Sequence, residues 1–113
     1  IPTEAMCAGI GLELNKGFLP EELCNHGLKV NQYLVSENEN IFGAGDIVEY
    51  YDIMQEQYTG SGTWAQASLQ GMIAGYNKCV NLKDRFKFSS NFPRNKIIQA
   101  FKPFLNLYYK SII

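Results

Sequence analysis

Histidine is nearly absent from this 113-residue sequence, cysteine is scarce and unpaired, and no long hydrophobic run occurs. The single His26 and the widely spaced Cys7, Cys24 and Cys79 leave few candidates for general-base, metal or dithiol chemistry. An odd number of cysteines with no Cys-x-x-Cys pair argues against a secreted disulfide framework and a zinc site, and predicts a reducing, cytoplasmic setting. His26, between Asn25 and Gly27, reads as a solvent-facing turn residue. No segment approaches the roughly 18 uninterrupted apolar residues that a membrane-spanning helix needs, so no membrane partner is expected. Neither the Gly-x-x-x-x-Gly-Lys-Ser/Thr loop of nucleotide triphosphatases nor the Gly-x-Ser-x-Gly turn of hydrolases occurs. The opening Ile1-Pro2-Thr3-Glu4 carries no initiator Met, basic leader or apolar signal, which reads as a cut end without an export signal.

What is present fits one small domain: 46% of residues are hydrophobic and 19% charged, enough to form a core. The net charge of −1 conceals a division. Residues 1–77 carry ten acids against Lys16 and Lys29, a net of −8, whereas residues 78–113 carry eight bases against Asp84, a net of +7. Such a tail can neutralise an acidic neighbour or bind a polyanion; its bases are spread out, which favours the neighbour. Phe86, Phe88, Phe92 and Phe101 alternate with Lys83, Arg85, Lys87 and Arg94. That pattern suits a buried strand face with a solvated opposite face better than a nucleic-acid stacking surface.

Along the chain, the small apolar run of residues 5–12 predicts a buried strand, and residues 20–27 predict one or two helical turns from Pro20 to Gly27. Leu28–Val35 has strand character and Ser36–Asn40 turns the chain. Ile41-Phe42-Gly43-Ala44-Gly45-Asp46 predicts a brief strand ending in glycines and an acid, a location that usually faces a crevice. Residues 49–62 read as a loop or short hairpin. Thr63 can cap a helix over residues 64–77, whose Ala67, Gly71, Ala74 and Gly75 would permit close approach to a sheet or cofactor. The character changes near Val80, and a helix interrupted at Pro103 is predicted over residues 94–109.

The chemistry concentrates at two places. Glycines ahead of Asp46 let a ligand approach the backbone while the carboxylate accepts hydrogen bonds from sugar-like hydroxyls. The same hexapeptide also suits a structural turn, and both readings stand at this point. The start of the helix after Thr63 offers free N–H groups and a dipole to an electron-rich oxygen, although Trp64 and the Ala/Gly face could equally serve as core.

Gly27-Leu28-Lys29-Val30-Asn31 followed by Ile41-Phe42-Gly43-Ala44-Gly45-Asp46 resembles the two-dinucleotide-binding-domain flavoproteins, the class I pyridine nucleotide-disulfide oxidoreductase superfamily. Trp64-Ala65-x-Ala67-x-x-Gln70-Gly71-x-x-Ala74-x-x-Asn77 is similar to its branch of rubredoxin reductases and the flavin module of NAD(P)H nitrite reductases. The likeness spans about residues 5–80. It implies an α/β fold, an incomplete Rossmann-like FAD/NAD(P)-binding segment over residues 1–80 that enters by a crossover strand at 1–15. Residues 81–113 would be a basic aromatic tail, a divergent or truncated interface domain. By the same resemblance Asp46 would bond the FAD ribityl chain, with Gly45 and Ile47 lining that contact. Trp64 and Ala65 would lie near the flavin's pyrimidine edge. NAD(P)H would bind through a domain absent here, and the expected partners are the missing N-terminal portion or a partner chain and an electron-acceptor protein.

This sequence departs from the family pattern at Leu14, where Gly9-Ile10-Gly11-Leu12-Glu13-Leu14-Asn15 lacks the usual Pro, and at Gly43, where Ala is usual. The Thr common before the turn is represented only by Ser36. The glycine-rich pyrophosphate loops are missing. The chain alone is therefore expected to be inactive, and a non-catalytic interaction or assembly module derived from such a domain is the alternative.

Overall fold

The computed structural model describes residues 2–9 and 11–112, with side chains as far as Pro103. Three strands, β1 (Leu28–Val30), β2 (Val48–Asp52) and β3 (Gln57–Gly60), form one sheet in the order β1-β2-β3. β1 runs parallel to β2 with Leu28 opposite Val48, and β2 runs antiparallel to β3 with Glu49 opposite Gly60. Two helices follow, α1 (Trp64–Cys79) and α2 (Arg94–Ile112). The fold is thus mixed α/β.

β1 stops early because Asn31 offers the chain a different set of bonds. Its side-chain Oδ1 accepts the N–H groups of Tyr33 at 2.9 Å and Val35 at 3.2 Å, an arrangement that turns the backbone out of the sheet. Leu34 then adopts φ 63° while fully buried, so the strain of a left-handed leucine is held by the surrounding core. The brief strand expected ahead of the glycines reduces to a single bridge between Val35 and Phe42. Gly43 N–H bonds to Leu34 O at 3.1 Å, and Gly45 turns at φ 87°, so no ladder can continue. The expected hairpin over 49–62 is β2 and β3 themselves.

α1 begins where the sequence indicates: Thr63 Oγ1 accepts the Gln66 N–H at 3.2 Å as an N-cap. Its inward face carries Leu69, Gln70, Ile73, Ala74 and Asn77 at helical spacing. Leu69, Ile73 and Ala74 pack with Leu28, Val30, Val48 and Tyr50 of the sheet in one core. Gly71 and Gly75 lie on the opposite, exposed side, where an added Cβ would meet nothing within 4 Å. Of the small residues expected to allow close approach, Ala67 and Ala74 face inward, and the two glycines do not.

The segment beyond Val80 closes the same core. Phe88 is fully buried with its ring 4.8 Å from that of Tyr50, edge to face, and Ile97 of α2 is fully buried. Tyr76, Phe86, Phe92 and Phe101 form a chain of ring contacts between 5.0 and 5.9 Å. These aromatics are packed inward from irregular backbone and α2, not from the strand expected around Phe86 and Phe88. Arg85 lies over the Phe42 ring and Lys96 over Phe86, so part of the basic tail rests on aromatic faces. α2 runs through Pro103, which removes one backbone bond without ending the helix.

Residues 5–9 and 11–12 form no strand and are exposed, with Ile10 outside the described residues. An apolar run becomes a strand only when neighbouring strands satisfy its backbone, and none lies alongside it here. Lys16 anchors the chain through Nζ, which donates to the carbonyls of Asn25 at 2.8 Å and His26 at 2.9 Å. Leu14 packs over Gly27, 3.2 Å from where a Cβ there would stand; that Cβ would also meet Ile47 O at 2.5 Å, so only glycine fits. The 20–27 segment contains one 3-10 turn, Glu21–Leu23.

Candidate functional site

The Gly45–Asp46 turn connects the loop after β1 to β2, and it is seated on α1. Gly45 N–H donates to Gln70 Oε1 at 2.8 Å, and Gly45 O accepts the Val48 N–H at 3.2 Å. Ala67 Cβ lies 3.7 Å from where a Cβ on Gly45 would stand. Ile47, next in the chain, gives its carbonyl to Leu28 N–H at 2.8 Å and so ties the turn to β1. These bonds leave Asp46 exposed at the turn's apex.

Asp46 lines a pocket of about 350 Å³ together with Gly60, Ser61 and Gly62, the three residues that lead into the Thr63 cap of α1. Glu49 of β2, His26, Leu12 and Leu14 complete much of the wall. The fold therefore brings the Gly-Asp motif and the entry to α1 to one cavity, although they lie far apart in sequence. Trp64 and Ala65 occupy the first turn of α1, both exposed, with Trp64 at 83%. Because Thr63 takes the Gln66 N–H, the N–H groups of Trp64 and Ala65 are the ones left without an intrahelical acceptor. Gly45, Ile47, Trp64 and Ala65 flank the pocket in the chain, and of the expected site residues Asp46 alone forms part of its lining.

Three wall residues were not anticipated as site residues. Glu49 follows Asp46 by three positions, and its Oε2 is buried without a hydrogen-bond partner; Ser61 Oγ is likewise unpartnered, on a residue only 6% exposed. The Gly60-Ser61-Gly62 cluster signals a loop, and only the β2–β3 register, which sets Glu49 opposite Gly60, brings that loop beside the acid. His26 occupies the exposed bend foreseen for it but also lines the pocket.

A second acid, Asp52, is fully buried at the far end of β2, where Oδ1 accepts the Met54 N–H at 2.9 Å and Oδ2 has no partner. Burial, and secondarily the Asp52 carboxylate, raise the pKa of the Tyr50 phenol above its usual 10.0. Cys7, Cys24 and Cys79 are all free thiols. Among the described residues no helix is long and apolar enough to cross a membrane. Comparison with family models, curated proteins and solved structures gave no match.

Proposed function

We propose that this chain is an FAD-binding segment of an NAD(P)H-dependent flavoprotein oxidoreductase of Rossmann-like type, and that it supplies contacts to the flavin's ribityl chain and pyrimidine edge. The observation that carries this reading is the single pocket shared by Asp46 and the Gly60-Ser61-Gly62 approach to α1. Asp46 presents an exposed carboxylate on a wall that Glu49 and Ser61 also line, chemistry suited to a chain of hydroxyl donors. The volume suits part of a dinucleotide cofactor, in keeping with a segment that provides only part of its binding site.

Within this reading Asp46 accepts hydrogen bonds from ribityl hydroxyls, and its exposed position leaves the carboxylate accessible to them. The free N–H groups of Trp64 and Ala65, at the positive end of the α1 dipole, attract a carbonyl oxygen that carries excess charge. When bound, the flavin supplies the hydride and electron chemistry. The pyrophosphate loop and the NAD(P)H site come from another portion of the chain or a partner, and an electron-acceptor protein takes the product electrons. The exposed Met6, Leu12 and Phe18, at 87%, 75% and 72%, offer apolar surface to such a portion.

FAD titration by flavin fluorescence, on this chain alone and on the chain joined to its upstream coding sequence, tests the assignment. Binding in the joined form, weakened by about 1–3 kcal/mol in Asp46→Ala, is expected from the loss of a charge-assisted hydrogen bond. Absence of flavin binding in both forms, or unchanged affinity in the variant, would overturn it in favour of an interaction module.

A further inference from the structure

Gln70 is fully buried within α1, yet its side chain leaves the helix to bond a residue 25 positions earlier. That residue, Gly45, adopts φ 87°, a conformation that side chains other than glycine rarely take. Both of Gly45's backbone polar groups are committed: the N–H to Gln70 Oε1 and the C=O to Val48 N–H. Ala67, one turn before Gln70, lies on the glycine's side-chain side, 3.7 Å from where a Cβ on Gly45 would stand. The turn that presents Asp46 is thus tied to α1 by the Gly45–Gln70 hydrogen bond. Asp46 is the next residue after the bonded amide, so any movement of that amide carries the carboxylate with it.

We infer that Gln70 is a positioning residue for Asp46, fixing the carboxylate relative to the start of α1 so that both can engage one polyhydroxylated ligand. The identity of that ligand rests on the flavin reading; the clamp does not. Gln70 Nε2 is buried without a partner, so Oε1 is the atom that holds the turn. A glutamine serving only as core filler could be replaced by any side chain of similar shape. A clamp requires an acceptor oxygen at this position.

The test measures amide hydrogen exchange by NMR on the full 113-residue chain. In the unmodified protein the Gly45 amide is protected, and Gln70→Met, which keeps length and loses the acceptor, speeds its exchange at least tenfold relative to Ile73 in the centre of α1. Gln70→Glu, which restores an acceptor oxygen, returns protection to Gly45. A Gly45 amide that exchanges freely in the unmodified protein overturns the clamp even if the variants fail to fold, as does equal exchange in all three proteins. In the joined flavin-binding form, Gln70→Met is expected to weaken FAD about tenfold and to have little effect once Asp46→Ala is present. Additive losses would overturn the positioning role. If no form binds FAD, the flavin reading fails and the exchange data still judge the clamp.

Discussion

Asn77 joins three parts of the chain, and replacing it should cost much of the domain's stability. Its Nδ2 donates to Tyr33 O at 3.0 Å and to Phe86 O at 2.9 Å, while its Oδ1 accepts the Phe86 N–H at 2.8 Å. The backbone carbonyl of Asn77, near the end of α1, accepts from Arg85 Nε at 3.0 Å. The residue has no exposed surface. Asn77→Ala removes three hydrogen bonds, each contributing about 1 kcal/mol net, and leaves buried partners to find water or remain unsatisfied, for a loss of about 3–4 kcal/mol. That is a large part of the ~5–15 kcal/mol typical of a whole domain. Asn77→Asp should be worse at neutral pH, because it turns two donors into an oxygen facing two carbonyls and buries a charge. The introduced carboxyl has its folded pKa raised, so stability is greatest below the unfolded value of about 4 and falls as pH rises through that range. Urea unfolding followed by far-ultraviolet circular dichroism measures both effects; Trp64 fluorescence is a poor probe, since its ring is 83% exposed. With a slope of about 1.5 kcal/mol per molar, Asn77→Ala should lower the midpoint by about 2 M. A shift below about 0.5 M, or an Asp variant no less stable than the Ala variant at neutral pH, would refute this account of how the tail is attached.

Gly71 and Gly75 face open space, so Gly71→Ala and Gly75→Ala should each stabilise the chain by about 0.5–1 kcal/mol, read as a higher urea midpoint; destabilisation would show that close packing does require these glycines. Tyr50 keeps its proton more tightly when folded than its usual 10.0 allows, so its contribution to stability is fully present below pH 10 and is lost above it as the unfolded chain ionises first. Tyr50→Phe should remove Tyr50's share of that alkaline loss, and the difference in urea midpoint between the two proteins across this range checks it.

Local chemistry made some elements legible in the sequence. The Thr63 cap, with a helix of suitable spacing after it, gave α1 to within two residues at its end, because both signals act within one or two turns. Residues 49–62 read as a loop or short hairpin from their Gly/Ser cluster and lack of period, which left open both the choice and the division into β2 and β3. The strand expected at 5–12 did not form and the brief one ahead of Gly43 shrank to a bridge at Phe42, for a common reason. Apolar character states that a segment can be buried, but a ladder depends on what lies beside it, and sequence alone carries no partner. At Asn31 a side chain took over bonds that a strand would have made to a neighbour. Asp46 was legible as a candidate because acids after glycine turns have few uses; Glu49 and Ser61 were not, because pairing of β2 with β3 brings them to its side.

The two motifs that first suggested a ligand are coupled by contacts that their spacing could not reveal. Gly45 and Gln70 belong to different motifs, and the 2.8 Å bond between them makes the turn and the helix one structural unit. That coupling has an energetic consequence. A free turn would lose conformational entropy on ordering around a ligand, of order 1–2 kcal/mol per residue fixed, whereas a turn already bonded to α1 has lost it during folding. Trp64 is 83% exposed at the first position of α1, and a large ring left in water contributes little to the core. On the proposed flavin reading, the pre-ordered carboxylate turn and the exposed start of α1 are the surfaces that would meet the ligand. The stability of this chain rests instead on the inward face of α1, where Ile73 and Asn77 are fully buried, and on Phe88 packed into the same core.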